Sequence, residues 1–313
     1  MALWRYGSHY ATTPQHHNAI ELYNAKILLF GEHTVVKGSQ ALAMPLTSHF
    51  GTWQFAEDTD NAVALQQQLP QFLDYLNNQK LSPVLDLVRF SVDLEKGLYF
   101  KSSIPTGYGL GSSGALCAAI YDRYAISKTS DLLSLKEIFG ILESYFHGQS
   151  SGMDPLVCYA NQPLLIATKE NIQRVKIPTP NRKKKAFFLM DTHIPRKTAP
   201  FVNGFLDRCE DPSYADLCAN QLVPNVNEAI TALLKKDWRL LYHAFTQISA
   251  FQLAHFDFMI PDAFKNIWKE GLQSDDFKLK ICGAGGGGYI LGISRDYERS
   301  KELLEGYDLL RIL

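Results

Sequence analysis

Three glycine-bearing segments, Lys26–His33 (KILLFGEH), Pro105–Gly114 (PTGYGLGSSG) and Gly283–Gly288 (GAGGGG), lie far apart in the chain. An acidic stretch, Glu143 to Asp154 (ESYFHGQSSGMD), falls in the second interval. Glycine lets backbone N–H groups reach phosphate oxygens that a side chain would block, so the set reads as a nucleotide-triphosphate site for phosphoryl transfer. No one segment carries that reading; their order and spacing do.

Gly109-Leu-Gly-Ser-Ser-Gly114 matches G-x-G-x-x-G literally. A dinucleotide fingerprint, however, needs a strand running straight into the first glycine and an acid at the end of a second strand about 20 residues on. Pro105 and Thr106 intervene on one side, and Asp131 sits in a turn after a helix on the other. A Walker loop needs a lysine that does not follow Gly111. What remains is a glycine loop at a helix N-terminus, whose unpaired N–H donors and positive dipole suit phosphates. Ser112 and Ser113 bring hydroxyls within reach of a bound Mg²⁺.

Glu143 alone reads as a surface carboxylate and Asp154 alone as a helix cap. Together they bracket a glycine-containing turn, so one can hold Mg²⁺ while the other faces a nucleophile. Glu143 and His147 also share a helical face as a transition-metal pair, but no third ligand accompanies them at suitable spacing. Four consecutive glycines flanked closely by apolar runs make Gly283–Gly288 a place of close backbone approach rather than a flexible linker.

The elements that must position these groups follow from periodicity and punctuation. Lys26–Phe30 is a short apolar run stopped by Gly31, a buried strand entering a turn; Ala41–Leu46 resumes apolar character, and Gly97–Ile104 is a strand halted by Pro105. A helix begins at Ser112-Ser113, and Leu135–His147 carries apolar residues close to a 3.6-residue period. A short helix is expected from Asp154 to Tyr159, then strands at Pro163–Ala167 and Ile172–Ile177. The Pro178–Lys185 stretch is the expected boundary between an N-terminal domain, 1–180, and a C-terminal domain, 181–313. Beyond it come a strand (Ala186–Asp191), helices around 199–208, 225–248 and 261–271, a strand–glycine–strand unit (Leu279–Ile293), and a final helix and strand. Strands mixed with helices in both halves argue α+β or α/β layers.

At 313 residues with 46% apolar content, the chain has enough material for one large or two ordinary cores. A formal charge of −1 gives no global attraction for nucleic acid or an anionic membrane. The basic run Arg182–Lys185 reads as a hydrated linker. Five cysteines without a C-x-x-C pair, and no apolar stretch behind a basic start, point to a reduced, cytoplasmic setting. No apolar run reaches the length of about 18 residues that a membrane span requires.

Taken together, the segments resemble the GHMP kinases, the small-molecule kinase superfamily that includes galactokinase and the homoserine, mevalonate and phosphomevalonate kinases. The lysine-led strand with G-E-H-x-V-V-x-G and A-L-A is similar to Lys26–His33, Val35-Val36, Gly38 and Ala41–Ala43; P-x-G-x-G-L-G-S-S to Pro105–Ser113; H-G-x-x-S-G-x-D to His147–Asp154. Asp191–Thr198 (DTHIPRKT) resembles the P-R-x-T segment of the mevalonate kinase subgroup. The likeness runs from about residue 23 to about 293. Asn24-Ala25 stand where the family usually has P-G, and Gln149-Ser150 where it has N-P, so the loop before Asp154 lacks a rigidifying proline. The first 22 residues match no motif.

The resemblance implies an α+β, two-domain GHMP kinase fold, with an N-terminal α/β domain carrying the glycine loop and a C-terminal ferredoxin-like domain carrying GAGGGG. It implies ATP and Mg²⁺ as cofactors and phosphorylation of a small-metabolite hydroxyl, first mevalonate to 5-phosphomevalonate. Other members (a sugar kinase, phosphomevalonate kinase or diphosphomevalonate decarboxylase) and a silent nucleotide or metabolite sensor are the alternatives. By the same resemblance Asp154 and Lys26 are catalytic, and Gly107, Gly109, Gly111, Ser112, Ser113, Gly114, Gly285 and Gly286 bind ATP phosphates. Glu32, His33, Arg196 and Thr198 contact substrate, and Ser113 and Glu143 hold the metal. The partners implied are substrate and ATP, with neither nucleic acid nor membrane, and a homodimer as the assembly to test.

Overall fold

The computed structural model describes residues 21–56, 68–179, 184–196 and 199–313. Thr198 and Arg182 lie outside them. An antiparallel five-stranded sheet is built around the 15-residue β2 (Ala41–Phe55). The first part of β2 pairs with β1 (Tyr23–Phe30) and with β4 (Leu164–Thr168), its last part pairs with β3 (Leu98–Ser102), and β5 (Asn171–Arg174) extends β4. The strand expected over 172–177 thus ends at Arg174.

Helices α1 (Gln68–Asn78), α2 (Leu87–Glu95), α3 (Ser112–Tyr124), α4 (Leu132–His147) and α5 (Met153–Ala160) complete this half. The start of α4 is fixed by Asp131, whose carboxylate accepts from the Ser134 N–H, and its end by Gly148 at φ 76°. Leu135, Phe139 and Leu142 form its buried stripe.

The second half opens with β6 (Ala186–Asp191), then α6 (Ala199–Arg208), α7 (Pro212–Leu217), α8 (Val223–Leu234), α9 (Trp238–His255) and α10 (Asp262–Gln273). β7 (Phe277–Ile281), β8 (Tyr289–Ser294), α11 (Tyr297–Leu303) and β9 (Leu309–Arg311) close it. The antiparallel order β7-β8-β6-β9 places the first strand of this half between the third and fourth. With helices in both crossovers, that is the ferredoxin-like arrangement. The single helix expected around 225–248 is two: Lys236 adopts φ 62°, and Asp237 caps α9 by accepting from the Leu240 N–H.

Two apolar clusters hold these layers. The smaller lies within the first half, between α1–α5 and the sheet. The larger runs from Tyr23, Ala25, Ile27 and Leu29 of β1 into the second half. There the Phe30 ring meets Phe187 and Phe245 edge-on at 6.4 and 6.1 Å. All five cysteines are buried and free, and among the described residues no helix is long and apolar enough to cross a membrane.

Candidate active site

The strand β1 delivers Lys26 beneath the loop 105–111. Its N–H donates to Leu110 O at 2.9 Å, which pins the loop to the strand. A Cβ on Gly111 would meet Cγ of Lys26 at 2.9 Å, and Gly111 also stands at φ 74°, so only glycine lets α3 begin directly over this lysine. Lys26 is buried, and its Nζ lies 2.8 Å from Oδ2 of Asp154, whose side chain keeps 42% of its surface exposed. Burial works to lower the Lys26 pKa, but the charge and hydrogen bond of Asp154 outweigh it, so the ammonium is held above its ordinary value. The site therefore pairs a sequestered cation with an accessible carboxylate in the first turn of α5.

Glu143, on α4, is buried beside them. Burial first, and then the Asp154 charge, push its carboxyl up to about 7, against the opposing pull of Ser150, Lys26 and Ser113. Ser150 Oγ donates to its Oε2, and Ser113 Oγ lies 3.5 Å from Oε1. The Ser113 hydroxyl also contacts Nε2 of His147 at 3.0 Å. A buried carboxyl beside a hydroxyl at the start of the helix that follows the glycine loop is a hard-oxygen donor set of the kind Mg²⁺ takes together with phosphate oxygens. Among the described residues no group of three His, Cys, Asp or Glu side chains gathers to hold a metal, so the Glu143–His147 pair remains without a third ligand.

Ser112 and Ser113 occupy the first turn of α3 behind Gly111. Gly114 presses on the start of α5: a Cβ there would stand 2.9 to 3.2 Å from atoms of Pro155 and Asp154. The loop therefore sets the position of Asp154 as well as facing the cleft.

From the other half, the glycine run meets both earlier segments. Gly288 abuts Tyr108, where a Cβ would come within 2.9 Å of the carbonyl oxygen. His33 Nε2 reaches Ala284 O at 3.2 Å, and since a carbonyl only accepts, Nε2 carries the proton. Burial lowers the His33 pKa to about 4, which keeps the ring neutral between Phe205 and Phe256. Glu32 Oε1 and Lys280 Nζ form an ion pair at 2.6 Å with side chains only 2% and 1% exposed. Gly286 donates its N–H to Met259 O at 2.6 Å, and Gly285 packs on the same residue.

Arg196 lies between the glycine segments. Its backbone N–H donates to Gly107 O at 3.0 Å, its Nε to Gly287 O at 3.2 Å and its Nη2 to Cys282 O at 3.4 Å. Nη2 also stands where a Cβ on Gly109 or Gly283 would be, at 2.5 and 2.7 Å. The structure thus brings together Lys26, Asp154, Glu143, Ser113, Glu32, His33, Arg196 and the glycine segments in one cleft. Lys280 was not singled out from sequence; its signal was a lysine two residues before Cys282 in the fully buried strand β7, directly ahead of the glycine run.

An antiparallel α/β half with its loop at a helix N-terminus, closed by a ferredoxin-like half with its own glycine run, defines the two-lobed architecture of small-molecule kinases. The chain belongs to the GHMP kinases: residues 72–162 match the family's N-terminal domain and residues 229–308 its C-terminal domain. It is 34% identical over 159 residues to the mevalonate kinase of Pyrococcus abyssi, an alignment covering 42% of this chain and 46% of that protein. The match thus spans about half the length of that relative. With the mevalonate kinase of Dictyostelium discoideum the identity is 23%, across 85% of each chain. The structure of the L. major mevalonate kinase in complex with R-mevalonate superposes with a TM-score of 0.64 at 16% identity, covering 94% of this chain and 95% of that one; this likeness shows the fold.

Proposed function

We propose that this chain transfers the γ-phosphoryl group of ATP to a hydroxyl of a small carboxylate-bearing metabolite, with mevalonate as the first substrate to test. The observation that carries the reading is the Lys26–Asp154 pair, a buried ammonium 2.8 Å from a half-exposed carboxylate directly under the glycine loop. Asp154 is the group placed to accept the hydroxyl proton, and Lys26 keeps it ionised and offsets charge that develops during transfer. The α3 N-terminus with Gly107, Gly109, Gly111, Ser112, Ser113 and Gly114 receives the phosphates, and Gly285 and Gly286 line the cleft from the second half. Glu143 and Ser113 hold Mg²⁺, which when bound neutralises phosphate charge and fixes its orientation.

Glu32, His33 and Arg196, gathered beside the GAGGGG segment, are the substrate contacts of this reading, and Thr198 completes the set by its place in the P-R-x-T segment. A division near residue 180 would put the loop and the acids in one domain and GAGGGG in the other. The reading carries with it a cytoplasmic protein, and it leaves the oligomer to be measured.

The names of the relatives favour mevalonate over the other substrates of the family. The test is an ADP-release assay on purified protein against mevalonate, phosphomevalonate, galactose and homoserine. Turnover with mevalonate at a kcat/KM at least about tenfold above the rest supports the assignment. A preference for another member of the panel keeps the kinase and replaces the substrate, and no ADP release with any of them favours a silent nucleotide or metabolite sensor.

A further inference from the structure

At the ends of β6 and β8 away from the glycine run lies a second cavity, of about 380 Å³, between the strand ends and the first turns of α9. Lys185, Trp238, Arg239, Tyr242, Ile293 and Arg295 form its walls. The register places it: Ala186 pairs with Ser294 beside the cavity, whereas Asp191 pairs with Tyr289 next to Gly288. A six-residue strand, about 20 Å long, separates the two ends, so the cavity is not part of the cleft.

Three cations line this cavity and no carboxylate does, among the described residues, in a chain whose formal charge is only −1. Two of the three are held by aromatic rings. The Arg295 guanidinium lies 4.1 Å from the Tyr242 ring centroid, and Lys185 Nζ lies 5.9 Å from that of Trp238. A ring orients a cation without cancelling its charge. Asp275 approaches Arg295 at 3.3 Å, but both side chains are largely exposed, at 91% and 51%, so the pair is weak and readily exchanged. Arg239 has no ion-pair partner among the described residues. Arg295 and Lys185 are thus oriented by rings, and Arg295 keeps only an exposed carboxylate while Arg239 has none among the described residues, a cation set suited to a multiply charged anion.

The apolar surface of Trp238, Tyr242 and Ile293 adds room for a non-polar body, and an adjoining hollow of about 590 Å³ shares Arg239, Tyr242 and Arg295. Both volumes fall in the range of roughly 300–1,000 Å³ that small-molecule sites occupy. We propose that this cavity binds a small phosphate ester, its phosphate gripped by Arg239, Arg295 and Lys185 and its apolar or planar body seated on the aromatic wall. Lys185, the last residue of the basic run read from sequence as a solvated linker, thereby gains a ligand.

Phenyl phosphate is the probe, titrated by calorimetry into the full chain and into the double variant Arg239→Glu/Arg295→Glu, with ADP titrated in parallel. The expected result is saturable binding of phenyl phosphate that weakens at least about tenfold in the double variant, as the loss of charge-assisted bonds requires, while ADP binding is unchanged. Inorganic phosphate should bind the wild type several-fold more weakly than phenyl phosphate. Arg239→Gln, at an exposed position, repeats the comparison without straining the fold and should weaken phenyl phosphate several-fold. Equal phenyl phosphate affinity in wild type and variants, no saturable binding at millimolar concentration, or inorganic phosphate bound as tightly as the ester each overturn the proposal. Absence of ADP binding in the wild type would count against the kinase reading and leave the phenyl phosphate comparison intact.

Discussion

The ion pair between Glu32 and Lys280 joins the first motif of the chain to the last, and its removal should cost far more than a surface contact. With the two side chains 2% and 1% exposed and 2.6 Å apart, neither charge has water to fall back on. Lys280 Nζ also donates to Ile281 O at 2.7 Å and lies 5.6 Å from the Phe30 ring centroid, so Lys280→Met removes every polar partner of Glu32 that the site offers from β7. Stranding one member of a buried pair costs about 3–5 kcal/mol, several times the median of at most about 1 kcal/mol for an exposed pair. At about 2–4 °C per kcal/mol for domains of 150–250 residues, the melting temperature should fall by on the order of 10 °C. The double variant Glu32→Leu/Lys280→Met strands no charge and should recover most of that loss, because well-packed apolar replacements of buried pairs are often neutral. Urea unfolding of wild type, both single variants and the double gives the coupling energy. A single variant within about 1 kcal/mol of wild type, or a double variant as unstable as the sum of the singles, would refute the reasoning.

Asp154→Asn should fold normally and lower kcat by about 10²–10⁴, the usual worth of a general base; a kcat within about threefold of wild type would remove Asp154 from the base role and leave it only the ion pair with Lys26. Glu143→Gln should raise the Mg²⁺ concentration for half-maximal rate, since one charged ligand leaves a site with few, and a MgCl₂ titration at fixed ATP with an unmoved midpoint would reject Glu143 as a ligand. His33 is neutral in the fold with its pKa lowered from 6.5 to about 4 by burial, so it contributes stability that is present above 6.5 and lost as pH falls through about 4. That contribution is about 3 kcal/mol; His33→Asn should flatten the acid limb of stability against pH, and an unchanged limb measured by urea midpoints would exclude the assignment. Arg196→Lys should raise KM for ATP as well as for the acceptor, because the guanidinium ties Gly287 and Cys282 together through Nε and Nη2 and its Nη2 packs against Gly109 of the first loop; a KM change confined to the acceptor would assign it to substrate alone.

The groups legible in the sequence were those whose role is tied to a local pattern. Lys26, Ser113 and Asp154 lie in short segments punctuated by glycine, and glycine marks places where backbone comes close, so the motifs led to one cleft. Ser150 shows the limit of such reading. Its replacement of a proline implied a looser loop, yet its N–H donates to Ser144 Oγ at 3.1 Å and its Oγ accepts from the Gly152 N–H at 3.1 Å while donating to Glu143. Hydrogen bonds take the place of the ring constraint, and no periodicity announces them. Lys280 was hidden for a related reason: its meaning depends on Glu32, far away in sequence. Helices α1 and α2 went unread because Pro70 interrupts the start of one and exposed Val88 and Val92 blur the stripe of the other. The left-handed Lys236 that parts α8 from α9 follows neither glycine nor proline.

The seating of Phe30 between Phe187 and Phe245 bears on how the chain is made. Strand β1 packs on α3 and α5 of its own half, but the Phe30 ring lacks its Phe245 partner until residues past 245 have been synthesised. During that interval this ring is open to chaperones or to neighbouring nascent chains, the exposure that favours misassembly in larger proteins. By the same arrangement, a gene cut after residue 179 would leave the Phe30 ring without its partners Phe187 and Phe245.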